Sequence, residues 1–237
     1  MAVDEALLSS FDPDRDRPVL RLYGWKPSAF SLGRFQEAEQ VLDLARCRAD
    51  GVDVVRRITG GGAIYHAGEI TYSVVCSPRQ IEAPSSVKES FQVLTGFLLR
   101  FYGKLGLSPR YAVDHYPAGT RLGERTPLCF AGRESCDILV DGRKIGGNAQ
   151  KRMKNVIFQH GSIPLSGSLA AAAPYLRQDP AAIVSGTAAL ADFGISRPLE
   201  ELKALLVEAL CGTMATSVVP DGLSAAESSM AGTLMQY

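Results

Sequence analysis

The sequence predicts an α+β (mixed α/β) protein in which a largely antiparallel mixed sheet is flanked by helices. Three observations support this class. Some segments place apolar residues at the spacing of an amphipathic helix. Several short segments between them are rich in β-branched residues or alternate apolar and polar residues, as strands do. Two of these strand segments are joined only by an Asp-Gly turn, which is typical of antiparallel neighbours.

The helices are predicted from apolar spacing and from signals at their ends. Leucines and alanines recur at helical spacing over 199–210, between a proline and a glycine. A second helix begins at Ser86, because Glu89 stands in position to complete a capping box and an apolar stripe follows. A third, shorter helix is predicted over 35–48.

The strands are predicted over four segments. Residues 18–25 and 53–58 are short runs of β-forming residues. Residues 69–77 alternate, with Ile70, Tyr72, Val74 and Cys76 on one face of the predicted strand. Residues 137–145 form a predicted hairpin whose Asp-Gly turn favours type I′ geometry.

Composition limits the class of function. The 237 residues include 25 basic and 25 acidic side chains, so the formal net charge is zero. This balance argues against a dedicated nucleic-acid binder and against membrane attachment through charge. We expect no transmembrane helix and no secretory signal, since the apolar runs are short and the first residues are acidic. The expected location is therefore cytoplasmic.

Five cysteines at scattered spacings, with no C-x-x-C pair, indicate reduced thiols rather than a zinc site or a disulfide framework. The sequence divides into a predicted catalytic domain over 1–212 and a C-terminal tail over 213–237. The tail is rich in alanine, serine, threonine, methionine and glycine, so we expect it to be loosely ordered or loosely docked.

The first candidate site is a glycine loop between two strand segments. Arg56 and Arg57 precede Gly60, Gly61 and Gly62, and a histidine follows at position 66. Consecutive glycines let a backbone approach a ligand closely, and the arginines are suited to neutralise a phosphate or a carboxylate. The alternative is a mobile hairpin loop with exposed arginines. The spacing fits neither a Walker loop nor a dinucleotide fingerprint.

Two further segments carry reactive side chains. Lys144 leaves the predicted hairpin within a stretch that is basic from residue 143 to residue 154, which is also typical of a solvated edge strand. Cys129, fifteen residues earlier, is either a small core residue or a nucleophile whose pKa nearby basic groups depress. We interpret Cys136 as a packing residue.

Taken together, these segments resemble the biotin/lipoate protein ligase and octanoyltransferase family, including lipoate-protein ligase A and the single-cysteine octanoyltransferases. The resemblance covers roughly residues 1–165 in order. Its motifs are RRITGGGAIYH at 56–66, GRKIGGNAQ at 142–150, MAVDEALL at 1–8, Trp25 with Pro27, Ser31-Leu32-Gly33 with Gln36, and QHGSIPL at 159–165. It implies a sheet of the biotin/lipoate ligase catalytic-domain type. It also implies protein lipoylation, with an octanoyl or lipoyl group attached to a lysine of a lipoyl domain or of the glycine-cleavage H protein.

The family has two branches with different chemistry. Octanoyltransferases take the acyl group from acyl carrier protein through a cysteine thioester and need no cofactor. Lipoate ligases use ATP and Mg²⁺ to form an acyl-adenylate and need no cysteine. Cys129 followed by Phe130, together with EITYS at 69–73, resembles the transferases, and Ala67 replaces the aspartate usual in ligases. Gly62 stands where those transferases usually have arginine, so the ligase stays as the alternative. A non-catalytic acyl-protein binding relative is a further alternative.

The resemblance implies a role for each candidate residue. Cys129 is the expected nucleophile, and Lys144 is the expected catalytic cation that favours its thiolate. Lys151, Arg152 and Lys154 are suited to steer an acidic partner. His66 is either the base for the acceptor lysine or a residue that packs the glycine loop. We expect no metal site and a monomer. The expected substrate-binding residues are Arg57, Gly60, Gly61, Gly62, His66, Gly147 and Ala149.

Overall fold

The computed structural model describes residues 1–81, 86–117, 119–123, 133–177 and 186–235. The strands in these ranges are β1 (Val19–Tyr23), β2 (Ala29–Leu32), β3 (Asp53–Arg56), β4 (Ile64–His66), β5 (Glu69–Cys76), β6 (Arg110–Tyr111), β7 (Ile138–Val140), β8 (Arg143–Lys144), β9 (Gly147–Arg152) and β10 (Ile157–Pro164). The α-helices are α1 (Ala2–Ser10), α2 (Ala38–Val41), α3 (Leu44–Ala49), α4 (Val87–Lys104), α5 (Ala112–His115), α6 (Ser168–Ala172), α7 (Leu199–Met214) and α8 (Ala225–Leu234). Short 3₁₀ turns occupy Pro78–Ile81, Ala173–Tyr175 and Leu190–Phe193.

The strands form three sheets, and most of their pairings are antiparallel. The largest sheet has the order β1-β5-β10-β9 and is antiparallel throughout. In the second sheet, β2 lies between β3, to which it is parallel, and β4, to which it is antiparallel. The third sheet has the order β6-β7-β8. The predicted α+β class with a largely antiparallel mixed arrangement is therefore confirmed.

The main core lies between the four-stranded sheet and the helices α4 and α7, which also pack against each other. The predicted alternation of β5 is confirmed, since Ile70, Tyr72, Val74 and Cys76 all belong to this core. They contact an apolar stripe of α4 that includes the fully buried Phe97. The opposite face of β5 carries Thr71, Ser73 and Val75. It is covered partly by α1 and partly by the second sheet.

The hairpin and the long helices occur where the sequence predicts them. Asp141 and Gly142 have φ values of 48° and 74°, the two positive angles that a type I′ turn requires. Ser86 caps α4 by accepting a hydrogen bond from the Glu89 amide. The helix α7 begins directly after Pro198 as predicted, but its predicted end before Gly212 is wrong, because the helix continues to Met214. No helix in the described ranges is both long enough and apolar enough to cross a membrane.

The predicted single helix over 35–48 is wrong, because the structure divides it into α2 and α3. Leu42 has extended backbone angles, φ −121° and ψ 147°, and forms a β-bridge with Leu176. Asp43 then caps α3 by accepting a hydrogen bond from the Arg46 amide. A tertiary contact of Leu42 and a local cap thus override the continuous helical pattern.

Within the predicted tail, residues 225–234 form the helix α8. Ser224 and Glu227 make a reciprocal capping box at its start. The Ser10 hydroxyl at the end of α1 lies 3.4 Å from a Glu227 carboxylate oxygen, and Ala231 is buried. The division of the chain at residue 212 stays a prediction.

Candidate active site

A small cavity lies where the four-stranded sheet meets the second sheet. Its volume is about 10 Å³, and its lining includes three predicted site residues, His66, Gly147 and Ala149. His66 ends β4, whereas the other two begin β9. The remaining described lining residues are Met1, Tyr23, Trp25, Ser31, Ile64, Thr71, His160, Gly161 and Ser162.

The imidazole of His66 is held at both nitrogens. Its Nε2 lies 2.7 Å from the Ser31 Oγ on β2, and its Nδ1 lies 2.6 Å from Oε1 of Glu69 at the start of β5. The indole of Trp25 stacks on the ring at a centroid distance of 4.2 Å. The imidazole is therefore fixed in position and orientation on the wall of the cavity.

Glu69 is a buried carboxylate that three side chains share. Besides His66, it contacts the Thr71 hydroxyl through Oε1 and the Ser162 hydroxyl through Oε2. The indole N–H of Trp25 donates to the Thr71 oxygen at 2.9 Å. Because polar partners surround it, this carboxylate is stable in a buried position. It links strands β4, β5 and β10.

Arg57 is buried directly beneath the predicted glycine loop. Its guanidinium donates to the carbonyl oxygens of Gly60 and Gly62 at 2.8 and 2.7 Å, and to the Ser31 carbonyl at 2.8 Å. Its Nε lies 3.2 Å from the Thr59 hydroxyl. These contacts show that Arg57 fixes the loop. The substrate-binding role of Arg57 and the glycines stays a prediction.

The glycine loop also packs closely on the turn that follows β2. A Cβ added to Gly33 would lie 1.9 Å from the Gly61 carbonyl oxygen, so this contact requires glycine at position 33. Gly61 has a φ of 95°, which a residue with a side chain rarely adopts. Arg56 donates to carbonyl oxygens of the same turn, including that of Gly33 at 3.1 Å. Arg56 and Arg57 therefore both hold backbone in place, Arg56 in the turn after β2 and Arg57 in the glycine loop.

Lys144 lies at the end of the predicted hairpin and is 2% exposed. Its Nζ is 2.7 Å from Oδ2 of the buried Asp137. Its backbone N–H donates to the carbonyl oxygen of Gly186, and its carbonyl oxygen accepts from the N–H of Ala188. Lys144 and Thr187 thereby form an isolated parallel β-bridge. Three residues later, β9 begins at Gly147 in the cavity wall. The structure thus places a buried ammonium group immediately before the strand that lines the cavity.

Cys129 lies outside the described residues. The described cysteines, at positions 47, 76, 136 and 211, are free thiols. Cys136 is buried, and burial raises the pKa of its thiol, which is consistent with a packing residue. Within the described ranges, no group of three or more histidine, cysteine or acidic side chains is placed to hold a metal ion.

Several residues around the cavity had no role in the sequence-based prediction. Glu69 and His160 are the most important of them. His160 is buried on β10, and its Nε2 lies 2.7 Å from the Thr59 hydroxyl of the glycine loop. Burial, followed by the charge of Arg57, lowers the pKa of His160 to about 3. The sequence does contain a signal for Glu69. Glu69, Thr71 and Ser73 place polar side chains on one face of β5, whose other face is apolar. Because buried polar groups need partners, such a face indicates a buried polar network.

Comparison with known proteins gives consistent results. A family model described as "Lipoyl protein ligase A/B catalytic domain" matches residues 1–211. An "Octanoyltransferase LipM" of an Exiguobacterium species is 40% identical over 169 residues, which is 70% of this chain and 61% of that protein. The chain therefore spans about three fifths of the length of the curated relatives that it matches.

Two solved structures share the fold over nearly the whole chain. A lipoate-protein ligase A bound with ATP has a TM-score of 0.82 and 26% identity, covering 99% of this chain and 87% of that one. A bi-partite lipoate protein ligase from Thermoplasma acidophilum, described together with its E2 lipoyl domain, has a TM-score of 0.80 and 25% identity, covering 99% and 86%. The resemblance stated from the motifs is thereby confirmed.

Proposed function

Because the chain belongs to the lipoyl protein ligase A/B catalytic-domain family, we propose that it transfers an octanoyl or lipoyl group to an acceptor lysine of another protein. The acyl donor is acyl carrier protein, and the acyl group passes through a thioester on Cys129. The enzyme is thus an acyltransferase of protein lipoylation, of the octanoyl-[acyl carrier protein]:protein N-octanoyltransferase type.

The observation that carries this proposal is the placement of Lys144. Its ammonium group is buried against Asp137 and stands three residues before the cavity strand β9. A fixed positive charge of this kind favours a neighbouring thiolate and stabilises the oxyanion of a tetrahedral intermediate. Oxyanion donors contribute roughly 2.7–4 kcal/mol each in other acyl-transfer enzymes.

The reaction proceeds in two steps. The Cys129 thiolate attacks the carbonyl carbon of the donor thioester, and the donor's C–S bond breaks to release the carrier thiol. The acceptor lysine, as a free amine, then attacks the carbonyl carbon of the acyl-enzyme. The C–S bond to Cys129 breaks, and the nitrogen gives its extra proton to the departing sulfur, which leaves an amide and a free Cys129 thiol. An amide is more stable than a thioester, so the second step is favourable without ATP.

The cavity lined by Trp25, His66 and Ala149 is the proposed acyl-chain site. Its volume of about 10 Å³ holds about one water molecule, so its walls must separate before an eight-carbon chain enters. Each methylene buried there contributes about 0.8 kcal/mol, which is enough to distinguish chain lengths.

The second candidate is an ATP-dependent lipoate-protein ligase that acts through lipoyl-adenylate. The specific observation in its favour is the fold match to a ligase bound with ATP. Two observations favour the transferase: the relatives at about 40% identity are named octanoyltransferases, and Ala67 follows His66. ATP and Mg²⁺ would be required only by the ligase.

The proposed acceptors are lipoyl domains of 2-oxoacid dehydrogenases and the glycine-cleavage H protein. The ligase described with its E2 lipoyl domain supports this class of partner. Lys151 and Arg152 are partly exposed at the end of the edge strand β9, and Lys154 is exposed just beyond it. We expect them to attract acidic partners, so the association rate should fall as salt rises.

The test separates the two enzymes by their need for ATP. The protein is incubated either with octanoyl-acyl carrier protein alone or with lipoate, ATP and Mg²⁺, and its intact mass is recorded. We expect an octanoyl adduct from the carrier protein without ATP, and its loss in Cys129→Ser. Cys211→Ser, a half-buried cysteine on α7, is the matched control and should keep the adduct.

The competing results are distinct. Acyl transfer that requires ATP and is unaffected by Cys129→Ser would replace the transferase with the ligase. Binding of an acylated protein without any transfer would support a non-catalytic relative.

A further inference from the structure

We infer that Ser31, His66 and Glu69 form a proton relay that deprotonates the acceptor lysine in the second step of the proposed reaction. The inference rests on the proposed function and adds to it the base that acyl transfer to an amine requires. In this relay Ser31 and His66 carry the proton. Glu69 is a positioning residue that orients the imidazole and stabilises its charged form.

The three side chains lie in the order hydroxyl, imidazole, carboxylate. The Ser31 Oγ is 2.7 Å from His66 Nε2, and His66 Nδ1 is 2.6 Å from Glu69 Oε1. They come from three different strands, β2, β4 and β5. This is the geometry in which an imidazole works as a base while a carboxylate holds its second nitrogen.

The surrounding hydrogen bonds assign the direction of the relay. An indole N–H is only a donor, so the Thr71 oxygen accepts from Trp25 and directs its own hydrogen to Glu69. Glu69 Oε1 is therefore an acceptor, and the proton between it and the imidazole belongs to His66 Nδ1. The other nitrogen, Nε2, then has its lone pair directed at the Ser31 hydroxyl.

The relay opens onto the proposed acyl site. Ser31 and His66 line the same cavity as Gly147 and Ala149, on the strand that begins three residues after Lys144. The stacked indole of Trp25, 4.2 Å from the imidazole, keeps the ring in this plane. The hydroxyl and the imidazole therefore border the cavity proposed for the acyl chain, whose carbonyl end is the group that the lysine attacks.

The chemistry requires such a base. A lysine side chain has a pKa near 10.4, so at pH 7 it reaches the site as an ammonium ion that cannot attack a carbonyl. The ammonium gives a proton to the Ser31 oxygen while Ser31 gives its own hydrogen to His66 Nε2. The imidazolium that forms is stabilised by Glu69. The free amine attacks the carbonyl carbon of the thioester and the C–S bond breaks. The second proton of the nitrogen passes to the departing Cys129 sulfur, and the proton on the imidazolium afterwards leaves to solvent.

The experiment compares two nucleophiles on the same acyl-enzyme. Octanoyl-enzyme is prepared from octanoyl-acyl carrier protein and mixed either with an unmodified lipoyl domain or with hydroxylamine, which is already unprotonated at pH 7. In His66→Asn we expect the rate of transfer to lysine to fall by about 10²–10⁴-fold, because general-base catalysis is lost. The rate of cleavage by hydroxylamine, which needs no such base, should change by less than about threefold. Ser31→Ala removes one hydroxyl and should give the same separation of rates. His115→Gln, an exposed histidine on α5, is the matched control.

Each outcome decides the question. Equal slowing of both nucleophiles, or unchanged lysine transfer in Ser31→Ala, would overturn the relay and leave the proposed function intact. If the unmodified protein forms no acyl-enzyme, the proposed function fails and the relay fails with it. Should His66→Asn not fold, Ser31→Ala and Glu69→Gln carry the test, and Glu69→Gln should also slow lysine transfer selectively.

Discussion

His160 should make the stability of this protein depend on pH between about 3 and 6.5. Burial, and secondly the charge of Arg57, lowers the pKa of His160 to about 3 in the folded protein, whereas its ordinary value is 6.5. In this window the unfolded chain binds a proton that the folded chain does not. Stability therefore falls as the pH drops through 6.5, and the loss continues until about pH 3.

The size of the effect follows from the two pKa values. Each pH unit below 6.5 costs about 1.4 kcal/mol, so the change from pH 7 to pH 5 removes about 2 kcal/mol from the free energy of unfolding. This is a large share of the roughly 5–15 kcal/mol that stabilises an ordinary domain.

Urea unfolding of the unmodified protein and of His160→Gln, at pH 7 and pH 5, measures this term. The variant is less stable at pH 7 because it loses the contact with Thr59. Its additional loss at pH 5 should be smaller than that of the unmodified protein by about 2 kcal/mol. Other titrating groups occur in both proteins, so they cancel in the comparison. Equal losses in the two proteins would refute the reasoning.

Three further substitutions test the core and the site. Asp137→Asn removes the negative charge that lies 2.7 Å from the buried Lys144 Nζ. Urea unfolding should show that the free energy of unfolding falls by about 3 kcal/mol, and acyl-enzyme formation should slow. An unchanged free energy of unfolding would contradict a buried ion pair. Gly33→Ala places a methyl carbon 1.9 Å from a carbonyl oxygen of the glycine loop; Tm and the yield of acyl-enzyme by intact mass should both fall, and a normal yield would show that the loop position is unimportant. Phe97→Ala opens a cavity in the main core and should cost about 3–5 kcal/mol in urea unfolding; a loss below about 1 kcal/mol would place Phe97 outside that core.

The parts of the fold that the sequence predicts correctly depend on nearby residues. The hairpin over 137–145 follows from two residues with positive φ, and the start of α4 follows from a cap and its partner three positions later. Where a contact with a residue far away in the sequence determines the backbone conformation, a prediction from neighbouring residues fails. The single helix predicted over 35–48 fails because Leu42 pairs with Leu176, which is far away in the sequence.

The same distinction applies to the site. Thr59 and His160 touch although they are 101 positions apart, and Ser162 reaches Glu69 across 93 positions. The contact between Ser162 and Glu69 depends on the register between β5 and β10, and the contact between Thr59 and His160 depends on how the glycine loop packs on β10. No motif encodes either. Motif resemblance predicted His66, Gly147 and Ala149, which do meet at the cavity. It could not predict which buried polar groups would pair with them.

Arg57 has a structural role that its place in the motif does not by itself reveal. Three consecutive glycines have no side chains to hold them, so ordering their backbone costs more conformational entropy than ordering other residues. The buried guanidinium offsets this cost by donating to the carbonyl oxygens of Gly60 and Gly62 and to that of Ser31. In this chain the arginine therefore fixes the glycine loop that follows it. Ser31, held by the same guanidinium, connects this loop to His66 and to the proposed relay.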